Sequence, residues 1–280
     1  MNSVAKRVLL TFTAVPALFS LIYFFPMYNH LPFAVLVVLA VIAGSIEMGK
    51  IIFSSSLNNY LYIIILSAFI PIFTYIDLLF DSNYGILTLY LIILITIFMG
   101  KEIFSGSKDS FEHSINKVAS SLLLAIYPGI FSIFLIKLLF LPQSTSLTIL
   151  LFLLVFGNDT FAYVFGMLLG KGNRNILLVS PNKSIAGFIG GLVMTVVIAI
   201  LYREFVPQMS SLFSLLEISV LAIVTGIIAN IGDLVESAFK RSAKIKDSGT
   251  LILGRGGLMD SIDSLLLSVP FFTILVSFFI

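Results

Sequence analysis

The chain has 280 residues, of which 59% are hydrophobic and 11% charged, and its mean hydropathy is +1.13. Soluble domains are about 45–50% apolar and about 25% charged, so this composition excludes a water-soluble fold and predicts an all-α, polytopic integral membrane protein. The net charge of +2 is too small to favour a nucleic-acid partner. The absence of cysteine excludes disulfides and thiolate metal sites.

Apolar runs of about 20 residues mark the membrane spans. Lys6 and Arg7 followed by an apolar stretch resemble a signal peptide, but further apolar runs follow at once, which favours a first span. Residues 8–46 carry no charge and have room for two spans, divided near Pro26. Seven more spans are predicted, at 51–76, 82–100, 118–136, 146–170, 184–202, 212–239 and 264–280.

The distribution of basic residues tests this count of about nine spans. With the N-terminus in the cytoplasm and the C-terminus outside, 14 of the 16 Lys and Arg residues fall inside, and only Lys137 and Arg203 fall outside. Eight or ten spans remain open, since Pro, Gly and buried polar residues blur the ends. Residues 1–145 are predicted to hold about five apolar helices, and residues 146–280 a catalytic half whose site faces the cytoplasm.

Charge is concentrated between Asn230 and Asp263, which hold five of the 16 basic and five of the 14 acidic residues. Asp233, Glu236, Ser237 and Lys240 stand at i, i+3, i+4 and i+7, on one face of the eighth helix. Charged side chains within a span are costly and face a cavity or a partner. The bases alone also fit anchoring at lipid headgroups, but the acids do not.

A glycine-rich loop follows that helix, from Lys246 and Asp247 to Gly256 and Gly257. Such a loop at a helix start offers free N–H groups to phosphate, although its Asp or Ser residues can also simply cap the next helix. Carboxylates at Asp260 and Asp263 are i and i+3, so they face the same way on a helix.

Carboxylates beside basic residues indicate a Mg²⁺ site for phosphoryl or nucleotidyl transfer. Mg²⁺ takes one or two carboxylates with substrate phosphates and waters, and such sites act by positioning and charge neutralisation. The candidate ligands are Asp233, Asp260, Asp263 and Glu236, the last of which can instead orient Lys240. With His30 and His113 as the only histidines, zinc is not expected.

Two further clusters are predicted to lie at the same membrane face. Asp159, within the sixth span, is an acid near membrane depth. Ser180, Lys183 and Ser184 precede the seventh span, where the lysine can contact phosphate and either serine can donate to it or cap the helix. The nearby glycines Gly190 and Gly191 are expected to allow close helix packing.

These blocks resemble the phosphatidate cytidylyltransferase (CDP-diacylglycerol synthase) family. The matching motifs are S-x-x-K-R-x4-K-D from Ser237, G-x-G-G-x-x-D-x-x-D from Gly254, G-D-L-x-E-S from Gly232, D-x-x-A-Y-x-x-G from Asp159 and S-P-x-K-S from Ser180. They cover roughly the C-terminal 125 residues in matching order. The N-terminal half shows only compatible hydropathy.

The resemblance implies an enzyme of phospholipid biosynthesis that joins CTP and phosphatidic acid into CDP-diacylglycerol and releases pyrophosphate. It implies Mg²⁺, assisted by a monovalent cation such as K⁺, and a homodimer in the cell membrane. Asp233 and Asp260 match the family's metal-binding aspartates. Lys240, Arg241 and Lys246 match its phosphate-facing bases, and Asp247 completes the signature.

Four positions depart from the family pattern: Ala186 replaces a Glu, Leu253 a Pro, Arg255 a His and Ser261 an Arg. We hypothesise that Arg255 substitutes for the missing Arg. The alternatives are a weakly active paralogue, another CTP-dependent enzyme acting on polyprenol or archaeol lipids, and an ion-coupled transporter. The collection of charges on one membrane face and the lack of an inverted repeat disfavour the transporter.

Overall fold

A computed structural model describes residues 3–53, 60–81, 85–105, 111–174, 177–252 and 256–280. Within these ranges the fold is helical, and the only strand-like pairings are isolated bridges at Arg174–Ser184 and Ile252–Gly256. The helices are α1 (Ser3–Phe24), α2 (Met27–Phe53), α3 (Leu61–Leu79), α4 (Ile86–Ser105), α5 (Ser114–Leu124), a π-helical segment (Ala125–Ile130), α6 (Phe131–Leu138), α7 (Ser144–Leu169), α8 (Ile185–Phe205), α9 (Pro207–Leu212), α10 (Leu215–Ser242) and α11 (Met259–Phe279).

Eight helical segments in the described ranges are long and apolar enough to cross a membrane, with Ser114–Leu138 counted as one. This confirms an all-α fold with multiple membrane helices. The predicted first span corresponds to α1, within which Phe12–Phe24 is a shorter apolar helix.

Several helix ends differ from the predicted spans. The predicted span 51–76 is α3, which begins at Leu61, because α2 continues through Glu47 and Lys50 to Phe53. Asp260 and Asp263 lie within α11, which starts at Met259, five residues before the predicted span. The positions of charged residues predict helix ends poorly, since a helix continues through charged residues that are hydrated or paired.

Residues 31–137 form one compact unit. Within it the fifth predicted span is α5, the π-helical segment and α6 in succession. Pro128 lies in the π-helical segment, where its missing N–H removes one helical hydrogen bond and favours the wider turn. The neighbouring Gly129 lets α3 approach, because a Cβ there would lie 2.8 Å from Cδ1 of Ile70.

Residues 1–30 and 138–280 form the second unit, in which α7, α8, α10 and α11 pack on one another. Glycines allow these helices to approach closely. A Cβ at Gly187 would lie 2.7 Å from the carbonyl oxygen of Ala162 in α7, and one at Gly191 would lie 2.9 Å from that of Asn158. The packing role expected for the α8 glycines is therefore confirmed for Gly191. Gly190 is likewise buried, against the ring of Phe165.

The helices α7, α8, α10 and α11 alternate in direction, so one end of each lies on the same side of this unit. These are the C-terminal halves of α7 and α10 and the N-terminal ends of α8 and α11. At the opposite end of α10, Ser214 and Glu217 form a capping box, in which each side chain accepts from the other residue's backbone N–H.

Candidate active site

Lys240 is the centre of the charged cluster at this side. Its Nζ donates to Oδ1 of Asp260 at 2.6 Å and also forms an ion pair with Glu236, one helical turn earlier in α10. The Glu236 side chain is fully buried, and the side chains of Lys240 and Asp260 are 12% and 8% exposed. Pairing is what makes this burial tolerable, since an isolated charge in such surroundings would be very unfavourable.

Asp260 closes the glycine-rich loop onto the first turn of α11. Its Oδ2 accepts hydrogen bonds from the backbone N–H of Ser248 at 2.9 Å, the Ser248 hydroxyl at 3.0 Å and the Gly257 N–H at 2.7 Å. The backbone N–H of Asp260 in turn donates to Oγ of Ser248 at 3.3 Å. With Lys240 on the other oxygen, both oxygens of this carboxylate are engaged by the protein.

Gly256 explains the glycine requirement of the loop. Its φ is +110°, which L side chains rarely adopt, and a Cβ there would lie 2.6 Å from Oδ2 of Asp260. The loop also folds back on itself through two hydrogen bonds between Ile252 and Gly256. Gly256 and Gly257 thus hold the loop against Asp260, and any contact that they make with substrate stays a prediction.

A second ion pair joins the loop before α8 to α10. Nζ of Lys183 lies 2.5 Å from Oδ2 of Asp233, with side chains 22% and 36% exposed. The hydroxyl of Ser237 donates to Oδ1 of the same aspartate at 3.4 Å. A predicted phosphate-binding base and a predicted metal ligand are therefore brought together, although 50 residues separate them.

Asp263 lies beneath these pairs, buried with 6% exposure. One of its oxygens accepts from the Ser264 N–H at 2.6 Å, and the charges that act on it are those of Asp159, Asp233 and Glu236. Asp159 of α7 accepts a hydrogen bond from the Ser264 hydroxyl at 3.4 Å. The Asp159 side chain is solvent-accessible. Asp159 lies ten residues, about 15 Å, before the end of α7.

The cluster as described is rich in negative charge. It contains five carboxylates and two lysines, which give a formal charge of −3. Like charges repel strongly where water is scarce, and Oε1 of Glu236 is buried with no hydrogen-bond partner in the described part of the chain. The residues therefore fit a bound cation, and hard carboxylate oxygens suit Mg²⁺.

The structure also limits the ligand set. Across the described ranges no three His, Cys, Asp or Glu side chains stand in an arrangement that could hold a metal by themselves. Mg²⁺ needs only one or two protein carboxylates when substrate phosphates and water complete its octahedron. Asp233, Glu236, Asp260 and Asp263 stay the candidate carboxylates for this, and Asp260 is the one whose two oxygens accept from four protein donors.

Other predicted site residues lie at the rim or serve the fold. Arg241, Lys246 and Asp247 are exposed, and the Arg241 guanidinium donates to the carbonyl of Ile245. Ser184 is buried and caps α8 by accepting from the Gly187 N–H at 3.1 Å, which is one of the two roles allowed by the sequence. Ser180 is half-buried in the turn before it. Arg255 lies outside the described residues, as does Leu253.

Five polar residues of this region were not among the predicted site residues. The sequence marks Ser248 only by its position after Lys246 and Asp247. It marks Ser264 only by its position after Asp263. A buried network also joins three helices: Asn158 donates to Asn230 at 3.1 Å, and Thr195 donates to Asn158 at 3.3 Å. The signal for that network was available, since Asn158 and Asn230 are uncommon residues for apolar spans.

The geometry gathers lysines and carboxylates beside a glycine-rich loop, and comparison with known proteins identifies the family. The model of a family described as "Cytidylyltransferase family" matches residues 5–279. The chain belongs to this family, which confirms the resemblance carried by the motifs.

Curated relatives give a narrower description over part of the chain. The phosphatidate cytidylyltransferase of Staphylococcus haemolyticus is 42% identical over 125 residues, which is 45% of this chain and 46% of that protein. The phosphatidate cytidylyltransferases of Staphylococcus saprophyticus and Staphylococcus aureus strain COL are 39% and 38% identical over the same shares. Each match thus spans about half the length of the relative.

Proposed function

We propose that this protein is a phosphatidate cytidylyltransferase, which joins CTP and phosphatidic acid to form CDP-diacylglycerol and pyrophosphate. The observation that carries the proposal is the pair of lysine–aspartate contacts, Lys183–Asp233 and Lys240–Asp260, beside a glycine loop at one end of four apolar helices. Family membership and the names of the Staphylococcus relatives support the same reaction.

The chemistry needs no protein nucleophile, since the lipid phosphate supplies one. One of its oxygens forms the new bond to the α-phosphorus of CTP, the bond from that phosphorus to the bridging oxygen of the β-phosphate breaks, and pyrophosphate leaves with the electron pair. Catalysis of this step consists of positioning the reactants and neutralising charge. Lys183 and Lys240 are the bases placed to do both.

Mg²⁺ is part of the proposal, held by Asp233 and Asp263 with Glu236 beside them. When bound, it supplies neutralisation of the triphosphate charge. In this proposal Asp260 keeps Lys240 and the glycine loop in place. K⁺ as an additional cation rests on the family resemblance alone.

The proposed placement is the bacterial cell membrane, with nine spans including α1, the N-terminus and the site on the cytoplasmic side, and the C-terminus outside. The basic residues at the site end of α10 support this orientation, as does the excess of Lys and Arg in the segments placed inside. Reporter fusions at each terminus test it. The proposed homodimer is tested by light scattering in detergent.

The test of function uses purified protein in detergent with CTP labelled at the α-phosphorus, phosphatidic acid and Mg²⁺. We expect label in the lipid phase from the wild type, and loss of label with Asp263→Asn, Asp260→Asn or EDTA. Glu204→Gln is a matched control, because Glu204 is an exposed acid paired with its neighbour Arg203 at the opposite end of α8.

Absence of lipid-phase label in folded wild-type protein that still binds CTP contradicts the proposal. The assay is then repeated with polyprenol and archaeol acceptors, which separates a change of acceptor from a loss of chemistry.

A further inference from the structure

A groove of about 290 Å³ runs along the outer side of α8 and α10, next to the site. Its α10 wall contains Ile227, Asn230, Ile231 and Leu234, which stand at i, i+3, i+4 and i+7 and so form one stripe. Its remaining walls are apolar and are formed by Leu177, Phe188, Ile189 and Leu192. The stripe from 227 to 234 is about 10 Å long at the α-helical rise.

One end of this groove meets the charged cluster. Leu234 follows directly after Asp233, and Nζ of Lys183 lies 5.6 Å from the centre of the Phe188 ring. Lys183 is partly exposed, at 22%. The groove therefore has the Lys183–Asp233 ion pair at its head, and its apolar body leads away from the site toward the middle of the helices.

We propose that this groove holds an acyl chain of the lipid phosphate substrate, with the lipid's phosphate at Lys183. The inference rests on the proposed function and adds the path by which the lipid reaches the site. When Asp233 binds the proposed Mg²⁺, Lys183 is left to contact an anion. An anionic head on an apolar tail then matches both ends of the groove, whereas a free nucleotide matches only the charged end.

The role of the groove is to orient the lipid rather than to attract it. Acyl chains are as well solvated by the bilayer as by leucine and isoleucine side chains, so burial in the groove contributes little to affinity. Fixing the first part of the chain limits where the phosphate can sit, and small errors in such placement lower turnover strongly. Selectivity for the anionic lipid comes from Lys183.

The test is photo-cross-linking in nanodiscs. A phosphatidic acid with a diazirine on one acyl chain is compared with a phosphatidylcholine that carries the identical chain, each at low mole fraction, and labelled peptides are mapped by mass spectrometry. We expect the phosphatidic acid probe to label residues 227–234 about fivefold more than the choline probe, the size of an ion-pair preference at a partly exposed site. Lys183→Ala is expected to remove the preference, and Lys183→Arg to retain it.

Two matched variants locate the chain. Ile227→Trp fills the groove and is expected to abolish selective labelling and to lower kcat/KM for long-chain phosphatidic acid about tenfold, with no change for a short-chain analogue or for CTP. Ile274→Trp is the control, because Ile274 is 56% exposed on α11 and outside the groove, while Ile227 is 43% exposed. Neither site is packed in the core, so both variants are expected to fold.

Equal labelling by the two probes overturns the proposal and makes the groove a place for bulk bilayer lipid. Cross-links between two copies of the chain across the groove overturn it in favour of a subunit contact. Cytidylyl transfer is measured on the same preparations. Cytidylyl transfer without selective labelling refutes lipid binding in the groove and leaves the proposed function standing. Selective labelling without transfer supports lipid binding in the groove and contradicts the proposed function.

Discussion

The two ends of α10 carry polar residues for different reasons. At the first end, Ser214 and Glu217 satisfy each other's backbone three residues apart, within an exposed capping box. At the other end, Asp233 and Lys240 reach partners that are 50 and 20 residues away in the sequence, in partly or largely buried surroundings. Hydrogen bonds between neighbouring residues at a helix end stabilise the helix. Placing charged side chains at membrane depth is costly, so long-range ion pairs there indicate a functional site.

The largest expected effect is from removal of the carboxylate at Asp260. Asp260→Ala leaves the N–H groups of Ser248 and Gly257 without their acceptor and Lys240 with Glu236 as its remaining ion-pair partner, so the glycine loop loses its anchor. We expect kcat/KM to fall by about three orders of magnitude, as for other electrostatically preorganised sites. Initial rates of lipid-phase label from CTP measure this, with size-exclusion profiles to confirm folding. Activity within tenfold of wild type would contradict the anchoring role.

Lys183→Ala is expected to have the next largest effect, a loss of about 100-fold in kcat/KM, because it removes a base from the phosphate site and leaves Asp233 without its ion-pair partner. Lys183→Arg keeps the charge with a different geometry and should recover part of the activity. Separate titrations of CTP and phosphatidic acid show which KM rises. Rates unchanged in both titrations would remove Lys183 from the site.

Ser248 sharpens the comparison, since its hydroxyl forms two hydrogen bonds with Asp260. Ser248→Ala removes one donor to that carboxylate and one acceptor for its N–H, and we expect kcat/KM to fall about tenfold, equivalent to about 1.4 kcal/mol. Ser248→Thr keeps the hydroxyl and should restore most of the rate. Ser242→Ala is the matched control, as the exposed Ser242 hydroxyl donates to the carbonyl of Phe239 in its own helix. Equal rates for the Ser248→Ala and Ser242→Ala variants would show that the hydrogen bonds between Ser248 and Asp260 do not contribute to turnover.

The smallest effect is expected at the opposite end of α10. Ser214→Ala removes the N-cap acceptor, which should lower Tm by about 2–4 °C, with kcat/KM unchanged. Thermal unfolding, followed with a fluorescent dye that does not react with thiols, measures Tm. The transfer assay measures kcat/KM. A loss of activity without a loss of stability would mean that this end also takes part in function, and the contrast between the two ends would fail.

Hydropathy alone predicted the helical membrane fold, because a span of about 20 apolar residues can be recognised without any tertiary contact. Helical periodicity also placed Asp233, Glu236, Ser237 and Lys240 on one face, and the motifs identified the family. These predictions succeeded because each depends on neighbours along the chain, where spacing translates directly into geometry.

The tertiary structure decided which charges meet. Nothing in the local pattern pairs Lys183 with Asp233, links Ser264 to Asp159 across 105 residues, or makes Asp260 the anchor of the glycine loop instead of a free carboxylate. These contacts depend on how closely the helices approach, and that approach is set by positions such as Gly232, where a Cβ would lie 2.7 Å from the carbonyl oxygen of Asp263. Sequence spacing determines the face of a helix, but only packing determines what that face meets.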